Sequence, residues 1–461
     1  MAMLFGRRRI GKTYLLQKFF TDPDVSTSSP KRCCYFLADQ STPEIQRLAL
    51  ADRLLEAFPT IAYSRTDLAV SWNALLRFAS TSARTLATDG SRLGLVLDEF
   101  PYLVTHSPEL PSVIQAWWDT DAVHAPIFVV ICGSQLSAMA ALGRETAPLY
   151  GRFNSGVLKM EPMRYDDVAL FYSGSNRYGL KEKLCMYGIL GGTPRYHAML
   201  DREQTWSQAI ANLLLGPGAS LENEIRFLLS SEQIRDAYSY NAVLGAIAEG
   251  RTRHSEIQQA TGLDSNALTH PIRVLTDLGW IWREFPFDER SERRSLYRIA
   301  DPFLHFWYRF VAPLGSALQF GEPLHVFQTR IEPRLSDYMG WCVFEGICKQ
   351  WLQRLAFSEL GLEIERMSRY WSRDGRIEID IVAELRDGSM LFGECKWSGS
   401  QPVGLEVYAA LQAKVHSLPS EKWRIKPKFI LFSIGGFDEA LKALAGSNRD
   451  LFLVDGTQIL P

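Results

Sequence analysis

The first third of the chain alternates short, continuous apolar runs with longer stretches in which apolar positions recur every three or four residues. Runs at residues 2–5, 33–37, 93–97, 127–131 and 157–160 read as strands, and residues 43–58, 72–87 and 110–118 read as amphipathic helices between them. A strand that is apolar on both faces leaves no side for water. Several such strands separated by helices therefore predict a parallel sheet covered by helices on both faces. From about residue 181 to 230 the pattern turns helical, broken by the turn Gly191-Gly192-Thr193-Pro194.

Residues 240–249, 255–261 and 265–278 then read as three short helices. Aromatic-rich strands at 280–286 and 295–299 follow, around a charged turn at 288–294. Three helices and a two-stranded wing predict a winged helix-turn-helix. Pro271 removes a backbone donor inside the third helix and is expected to kink it. Residues 303–313 read as an aromatic helix. From about Leu335 a helix leads into strands near 377–384, 390–395, 428–433 and 451–454, a second α/β unit.

Composition narrows this picture. A chain of 461 residues is too long for one hydrophobic core and divides into several domains. The net charge of −2 excludes a chain-wide positive field, so any contact with nucleic acid must come from a local patch. No apolar run approaches the roughly 20 residues needed to span a bilayer, so no membrane partner is expected. The seven cysteines show no paired zinc-ligand spacing and read as free, buried thiols in a reducing compartment, which predicts a cytoplasmic protein.

The strongest chemical signal opens the chain. Gly6-Arg7-Arg8-Arg9-Ile10-Gly11-Lys12-Thr13 fits G-x-x-x-x-G-K-[ST], between the first strand and an amphipathic helix. Its glycines let the backbone wrap phosphates with N–H groups pointing inward, and the helix N-terminus adds its dipole. Lys12 is expected to reach the β- and γ-phosphates of ATP, and the Thr13 hydroxyl to ligate Mg²⁺. Leu95-Val96-Leu97-Asp98-Glu99 supplies the second half of the site. Asp98 is expected to hold the magnesium shell, and Glu99 to orient and activate the attacking water. Ser134 has two readings: a polar group offered to the γ-phosphate, or a plain helix N-cap.

These segments, with Asp98-Glu99-Phe100-Pro101-Tyr102, Pro148-Leu149-Tyr150-Gly151-Arg152 and Gly191-Gly192-Thr193-Pro194-Arg195-Tyr196, resemble the archaeal-type ATPases of the STAND branch of AAA+ proteins. The resemblance runs over nearly the whole chain. It implies a nucleotide switch, closed by ATP and reset by hydrolysis. A Gly-x-Pro motif contacts the nucleotide base in such ATPases, which implies that role for Gly192 and Pro194; a helix-ending turn accounts for the same residues. Arg152 reads either as a charge sensor or as a structural ion pair. Five residues precede Gly6, fewer than in the resembled family, whose leading segment helps wall the adenine pocket, so weak nucleotide binding is one expectation.

A second constellation lies near the other end. Asp380 sits in a strand-like run, and Glu394-Cys395-Lys396 lies on the next strand, where alternation puts Glu394 and Lys396 on one face and Cys395 on the other. An Asp and a Glu converging from adjacent strands can hold Mg²⁺ at a phosphodiester, with the lysine positioning the nucleophile. Glu345 is placed to complete the metal shell. Glu345, Asp380, Glu394 and Lys396 resemble the restriction-endonuclease-like core written PD-(D/E)xK, a domain with which archaeal-type ATPases commonly end. Solvated hairpins produce the same spacing, so cleavage is a separate expectation from the fold. Gln412 and Lys414 either line the cleft or lie on the surface.

The expected organisation is α/β: a P-loop NTPase core with a parallel sheet at 1–180, a helical lid at 181–235 and the winged helix-turn-helix at 236–300. Linking helices at 301–334 and an α/β restriction-endonuclease-like domain at 335–461 complete it. In the winged helix, Asn266, His270 and Arg273 are candidates for bases, and Arg290, Arg293, Arg294 and Arg298 for phosphates of double-stranded DNA. Glu289 and Glu292 offset part of that charge, and a regulatory lid is the other reading of the module. The leading expectation is an ATP-regulated, DNA-associated enzyme with a nuclease-like domain. The rival is a signalling ATPase whose C-terminal modules bind a protein partner or a second copy of the chain.

Overall fold

A computed structural model describes residues 1–21, 32–59, 62–87, 92–173, 177–232, 234, 236–288, 294–315, 317–397, 401–418, 423 and 426–460. The chain divides into two units, Met1–Pro162 with Phe227–Ile234, and Met163–Arg226 with Arg235–Pro461.

The first unit is built on five strands: β1 (Ala2–Gly6), β2 (Cys33–Leu37), β3 (Leu93–Asp98), β4 (Ile127–Gly133) and β5 (Val157–Met160). They pair in parallel in the order β2-β3-β4-β1-β5. The alternation of side chains explains why the runs are apolar throughout. Met3, Leu95, Leu97, Val129 and Ile131 point into a large core on one face, while Leu4, Val96, Val130 and Cys132 point into a smaller one on the other. Helices cover both faces. Lys12–Thr21 sends Leu16 and Phe20 into the smaller core, and Pro43–Ala57, Trp72–Leu86 and Leu110–Thr120 fill the larger. With β1 beside β4 and β4 beside β3, the loops leaving the carboxyl ends of these three strands lie next to one another, where open α/β sheets bind ligands.

The second unit begins with the short helix Tyr165–Ala169, followed by helices Leu180–Leu190, Pro194–Ala198 and Trp206–Leu214. Helices Ala237–Ala248, His254–Thr261 and Ser265–Asp277 follow, with an antiparallel hairpin of β6 (Ile281–Glu284) and β7 (Leu296–Ile299). The third helix runs through Pro271 without a break in its assigned span, and the proline ring is buried. The aromatic stretch is helical over Pro302–Phe306 and continues as a π-helical turn, Trp307–Val311, and a 3-10 turn, Ala312–Leu314.

Helix Glu345–Leu360 then leads into β8 (Ile364–Trp371), β9 (Glu378–Leu385), β10 (Met390–Lys396), β11 (Lys428–Ser433) and β12 (Leu451–Asp455). The order is β12-β11-β10-β9-β8, parallel across β10, β11 and β12 and antiparallel across β8, β9 and β10. Strand β8 was not legible in the sequence, because it is an edge strand carrying Glu365, Arg366 and Arg369 in place of an apolar run. Its outer edge is covered by the segment after β6: Phe287 N–H donates to the Arg369 carbonyl at 2.8 Å, and the Ser368 hydroxyl donates to the Phe285 carbonyl at 2.7 Å. Covering an edge this way removes an open row of backbone partners.

His197 shows how tightly the second unit packs its polar groups. The ring is fully buried, with Nδ1 at 2.6 Å from the Tyr172 hydroxyl and Nε2 at 2.7 Å from the Gly191 carbonyl. A neutral imidazole that accepts at Nδ1 and donates from Nε2 satisfies both. Burial pulls its pKa from 6.5 down to about 4. Because the folded value lies below the unfolded one, the unfolded chain takes up the proton first as pH falls through 6.5, and stability drops until about pH 4. Denaturant unfolding is expected to show a loss of about 2 kcal/mol between about pH 7 and pH 5 from this residue. The His197→Gln protein should show a correspondingly shallower pH slope; an unaltered slope would contradict the assignment.

Candidate nucleotide site and C-terminal carboxylate cluster

The phosphate-binding motif leaves β1 at Gly6. A Cβ on Gly6 would stand 2.6 Å from the Met160 carbonyl oxygen, so the loop can lie against β5 only with glycine there. Gly11 has φ +100°, a conformation that a side chain would strain, and Arg9 adopts φ 66°. Ile10 and Lys12 are buried, Arg8 is exposed, and Arg7, Arg9 and Gly11 are partly buried. The Lys12 ammonium folds back over its own loop, donating to the carbonyls of Gly6 at 2.9 Å and Arg7 at 3.0 Å. Burial lowers its pKa, and the surrounding Cys132, Glu99 and Asp98 oppose that fall. Among the described residues, the N–H groups of Ile10, Gly11, Lys12 and Thr13 donate to no protein acceptor. Four free donors at a helix N-terminus beside a buried ammonium fit a polyphosphate.

Asp98 ends β3 fully buried. Its Oδ2 accepts from the Thr13 hydroxyl at 2.9 Å and from the Tyr35 hydroxyl, and its Oδ1 accepts from the Glu99 N–H at 2.9 Å. Burial and the Asp98 carboxylate push the Tyr35 pKa well up, so its hydroxyl stays a donor. Glu99 adopts the left-handed conformation, φ 54° and ψ 41°, at the start of helix Phe100–His106. Its Oε2 accepts from the Ser134 hydroxyl at 2.8 Å and the Ser134 N–H at 3.2 Å. Ser134 is thus engaged with Glu99. The Thr13 hydroxyl and the Asp98 carboxylate, side by side at the free loop, fit Mg²⁺ as a hard cation with oxygen ligands.

Two partners of this site carry no sequence signal. Tyr35 reaches Asp98 because β2 pairs with β3, a neighbour relation absent from the local pattern. Glu232 accepts from Leu136 N–H at 3.1 Å and the Ser137 hydroxyl at 3.3 Å, and Arg7 acts on its charge. Gly192 lies in the second unit, where its carbonyl accepts from Met163 N–H at 2.8 Å; a Cβ there would stand 2.0 Å from the Met163 carbonyl oxygen. Pro194 opens the short helix Pro194–Ala198. Arg152 forms a two-point ion pair with Asp119, 2.9 and 2.7 Å.

At the second cluster, Asp380 on β9 is partly buried beside the buried Glu394 on β10, and burial together with the Glu394 charge raises the Asp380 pKa. Asp380 accepts from Cys395 N–H at 2.9 Å. Cys395 faces the other way, into a buried thiol contact with Cys348. Glu394 is held between two ammonium groups, Lys396 at 2.8 Å and Lys414 from helix Leu405–His416. Glu345 pairs with Arg369 at 3.1 Å. Burial pushes Glu345 up, Arg369 opposes it, and Asp380 adds to the rise.

Arg369 sits at a register irregularity of β8 and also approaches Glu284 at 3.6 Å and Glu378 at 3.9 Å. Glu284 is 3 % exposed and has Arg298 at 3.0 Å and Lys349 at 3.4 Å as further partners. Burial opposes its charge, yet Lys349, Arg298 and Arg369 hold it below the usual carboxylate range. As arranged, the cluster is neutralised by side-chain cations, and among the described residues no group of three or more acidic, His or Cys side chains is placed to hold a metal.

Arg298 is spent on Glu284, and Arg294 pairs with Asp288 and donates to the Trp371 carbonyl. Arg290, Arg293, Glu289 and Glu292 lie outside the described residues. Asn266, His270 and Arg273 are exposed on the third helix, and Gln412 donates to the Tyr408 hydroxyl at 3.0 Å.

A parallel sheet, a phosphate loop with free donors and an acid at the end of the neighbouring strand define a P-loop ATPase. Residues 1–200 match the family described as "ATPase domain predominantly from Archaea". Residues 307–406 match a second family, described as "Archaea bacterial proteins of unknown function". The chain is 28% identical to an uncharacterized protein of Methanocaldococcus jannaschii over 402 residues, covering 86% of this chain and 82% of that protein.

Among solved structures it is similar to the Walker-type ATPase of Pyrococcus abyssi, at 18% identity and TM-score 0.49, covering 67% of this chain and 90% of the other. It is also similar to the ORC2 protein of Aeropyrum pernix in ADPNP–ADP complexes, at 14% identity and TM-score 0.43, covering 68% and 88%. A repair endonuclease from Pyrococcus abyssi matches 24% of this chain and 44% of its own, at 18% identity and TM-score 0.17. Likenesses of this size leave the assignment resting on the family match and the geometry. No helix among the described residues is long and apolar enough to cross a membrane.

The Arg369 network yields a stability prediction. Removing a buried charge that several acids share leaves them uncompensated, so Arg369→Met is expected to cost about 3 kcal/mol. Arg369→Lys should restore only part of this, since one ammonium does not reproduce a planar fork of donors. Denaturant unfolding followed by tryptophan fluorescence reads both, and a midpoint unchanged in Arg369→Met would sink the idea.

Proposed function

We propose that the chain is a Mg²⁺-dependent ATP-hydrolysing switch of the STAND type that acts in association with DNA. The observation that carries the hydrolytic part is the Asp98 junction, which joins Thr13 of the phosphate loop to the acid-bearing end of β3. In this reading the free N–H groups of residues 10–13 cradle the phosphates and Lys12 swings from its own loop carbonyls to the β- and γ-oxygens. Thr13 and Asp98 would hold Mg²⁺, which would offset phosphate charge. Glu99, oriented by Ser134, takes the proton of the attacking water. Arg7, Arg8 and Arg9 lie on the same loop and add positive charge beside the phosphates. Gly192 and Pro194 are the candidates for the base contact.

The modules beyond residue 235 carry the DNA part of the proposal. Three helices and a hairpin support a winged helix, with Asn266, His270 and Arg273 on an exposed face. A mixed sheet in which Asp380, Glu394 and Lys396 converge supports a restriction-endonuclease-like domain. The cation-neutralised state of that cluster favours, as a second reading, a signalling ATPase whose C-terminal modules dock a protein partner or another copy of the chain.

Steady-state ATP hydrolysis and nucleotide binding test the first part. Lys12→Ala is expected to weaken ATP binding by roughly a hundredfold, through loss of a charge-assisted contact in a dry site. Glu99→Gln should keep binding and lower kcat by about 10²-fold or more. Hydrolysis at the wild-type rate in Glu99→Gln would refute the assigned base. Plasmid cleavage in Mg²⁺ with and without ATP separates the readings of the C-terminal domain. Cleavage lost in Asp380→Ala identifies a nuclease; its absence from both proteins, with ATP still hydrolysed, identifies the signalling switch.

A further inference from the structure

A cavity of about 390 Å³ in the second unit is lined by residues of neither cluster already described. Its walls come from the end of helix Ala237–Ala248, the turns Trp307–Val311 and Ala312–Leu314, and the segment Phe327–Ile331 with helix Glu332–Tyr338 that follows it. Arg309, Arg330 and Arg334 line it, against Glu249 as the one acid of its lining, with Phe310 and Leu314 supplying apolar wall. Arg309 donates to the Ala248 carbonyl at 3.3 Å, which fixes its guanidinium at a helix C-terminus. The Arg334 guanidinium lies 5.5 Å from the centre of the Phe310 ring. Arg330 and Arg334, four positions apart on consecutive helical turns, are exposed. Among the described residues none of the three arginines forms an ion pair.

We propose that this cavity is a binding site for a phosphate-bearing ligand, separate from the ATP site of the P-loop. Arg294, Arg298, Arg354, Arg366 and Arg369 of the same unit are each paired with an acid. Here three arginines line one concavity with a single acid among the described residues, a surplus of positive charge that an anion relieves. Guanidinium forks match phosphate oxygens in two-point contacts, and Arg334, held by the ring beneath it, loses little freedom on binding. The volume falls in the range of about 300–1,000 Å³ usual for small-ligand sites, and the apolar wall accommodates the organic part of a phosphate ester. A free nucleotide-sized ester and a backbone phosphate of nucleic acid share this chemistry.

The test uses the full chain carrying Lys12→Ala, so that the P-loop contributes little nucleotide binding. Two probes are titrated by fluorescence anisotropy: a fluorescent adenosine monophosphate and a short fluorescein-labelled DNA duplex. Arg330→Glu combined with Arg334→Glu alters two exposed side chains, and circular dichroism checks that the protein stays folded. The double substitution is expected to weaken binding of at least one probe by roughly tenfold or more, with Arg330→Lys and Arg334→Lys together losing less. An effect on the monophosphate identifies a small phosphate ester as the ligand; an effect on the duplex alone identifies backbone phosphate. Affinities within about twofold of the parent for both probes, or no saturable binding of either, overturn the proposal.

Discussion

The carboxylate of Asp98 is where the ATPase unit is tied together. It is buried at the end of an entirely buried strand, and its two oxygens receive Thr13, Tyr35 and the Glu99 N–H. Those partners come from the helix after β1, from β2 and from the residue that begins the next turn, so one acid fixes the relative positions of three elements. Such a group is stable in the interior only because every bond it needs is made. The same bonds hold the Thr13 hydroxyl at the mouth of the phosphate loop, so the constraint that folds the edge of the sheet also shapes the site.

The loop itself depends on a different constraint, close approach. Gly6 lies against the β5 backbone, and Gly11 has φ +100°, a conformation that a side chain would strain. With β3 next to β4, the Ser134 hydroxyl stands beside Glu99 and orients it. The sheet order thereby gathers the loop of residues 6–13, the Thr13–Asp98 pair and the Glu99 carboxylate at one edge.

In the second unit the organising group is a cation. Arg369, turned inward at an irregular point of an edge strand, faces Glu284, Glu345 and Glu378. Two consequences follow for function. The segment after β6 is bonded to β8 of the second sheet, and Arg294 and Arg298, the described arginines of the hairpin, pair with Asp288 and Glu284. The carboxylates that resemble a nuclease core are also neutralised by arginine and lysine, which separates the likeness of fold from any inference of cleavage.

Local chemistry was legible from the sequence: the strands of the first sheet, the phosphate loop, and the acid pair ending β3. Each depends on residues adjacent in the chain, through an apolar run, a glycine spacing or a helix start. The alternation that sends Glu394 and Lys396 to one face and Cys395 to the other was legible for the same reason. Strand β8 was not, since a charged edge strand has no apolar period. Nor were Tyr35 at Asp98, Glu232 near Arg7, Arg369 at Glu345 or Lys414 at Glu394, because each pairing joins elements far apart in sequence whose neighbour relation is set only when sheets order themselves and helices dock. The sequence by itself determined which groups could do chemistry; the tertiary structure decided which charges face one another, and charge partnership depends on distances that only packing establishes.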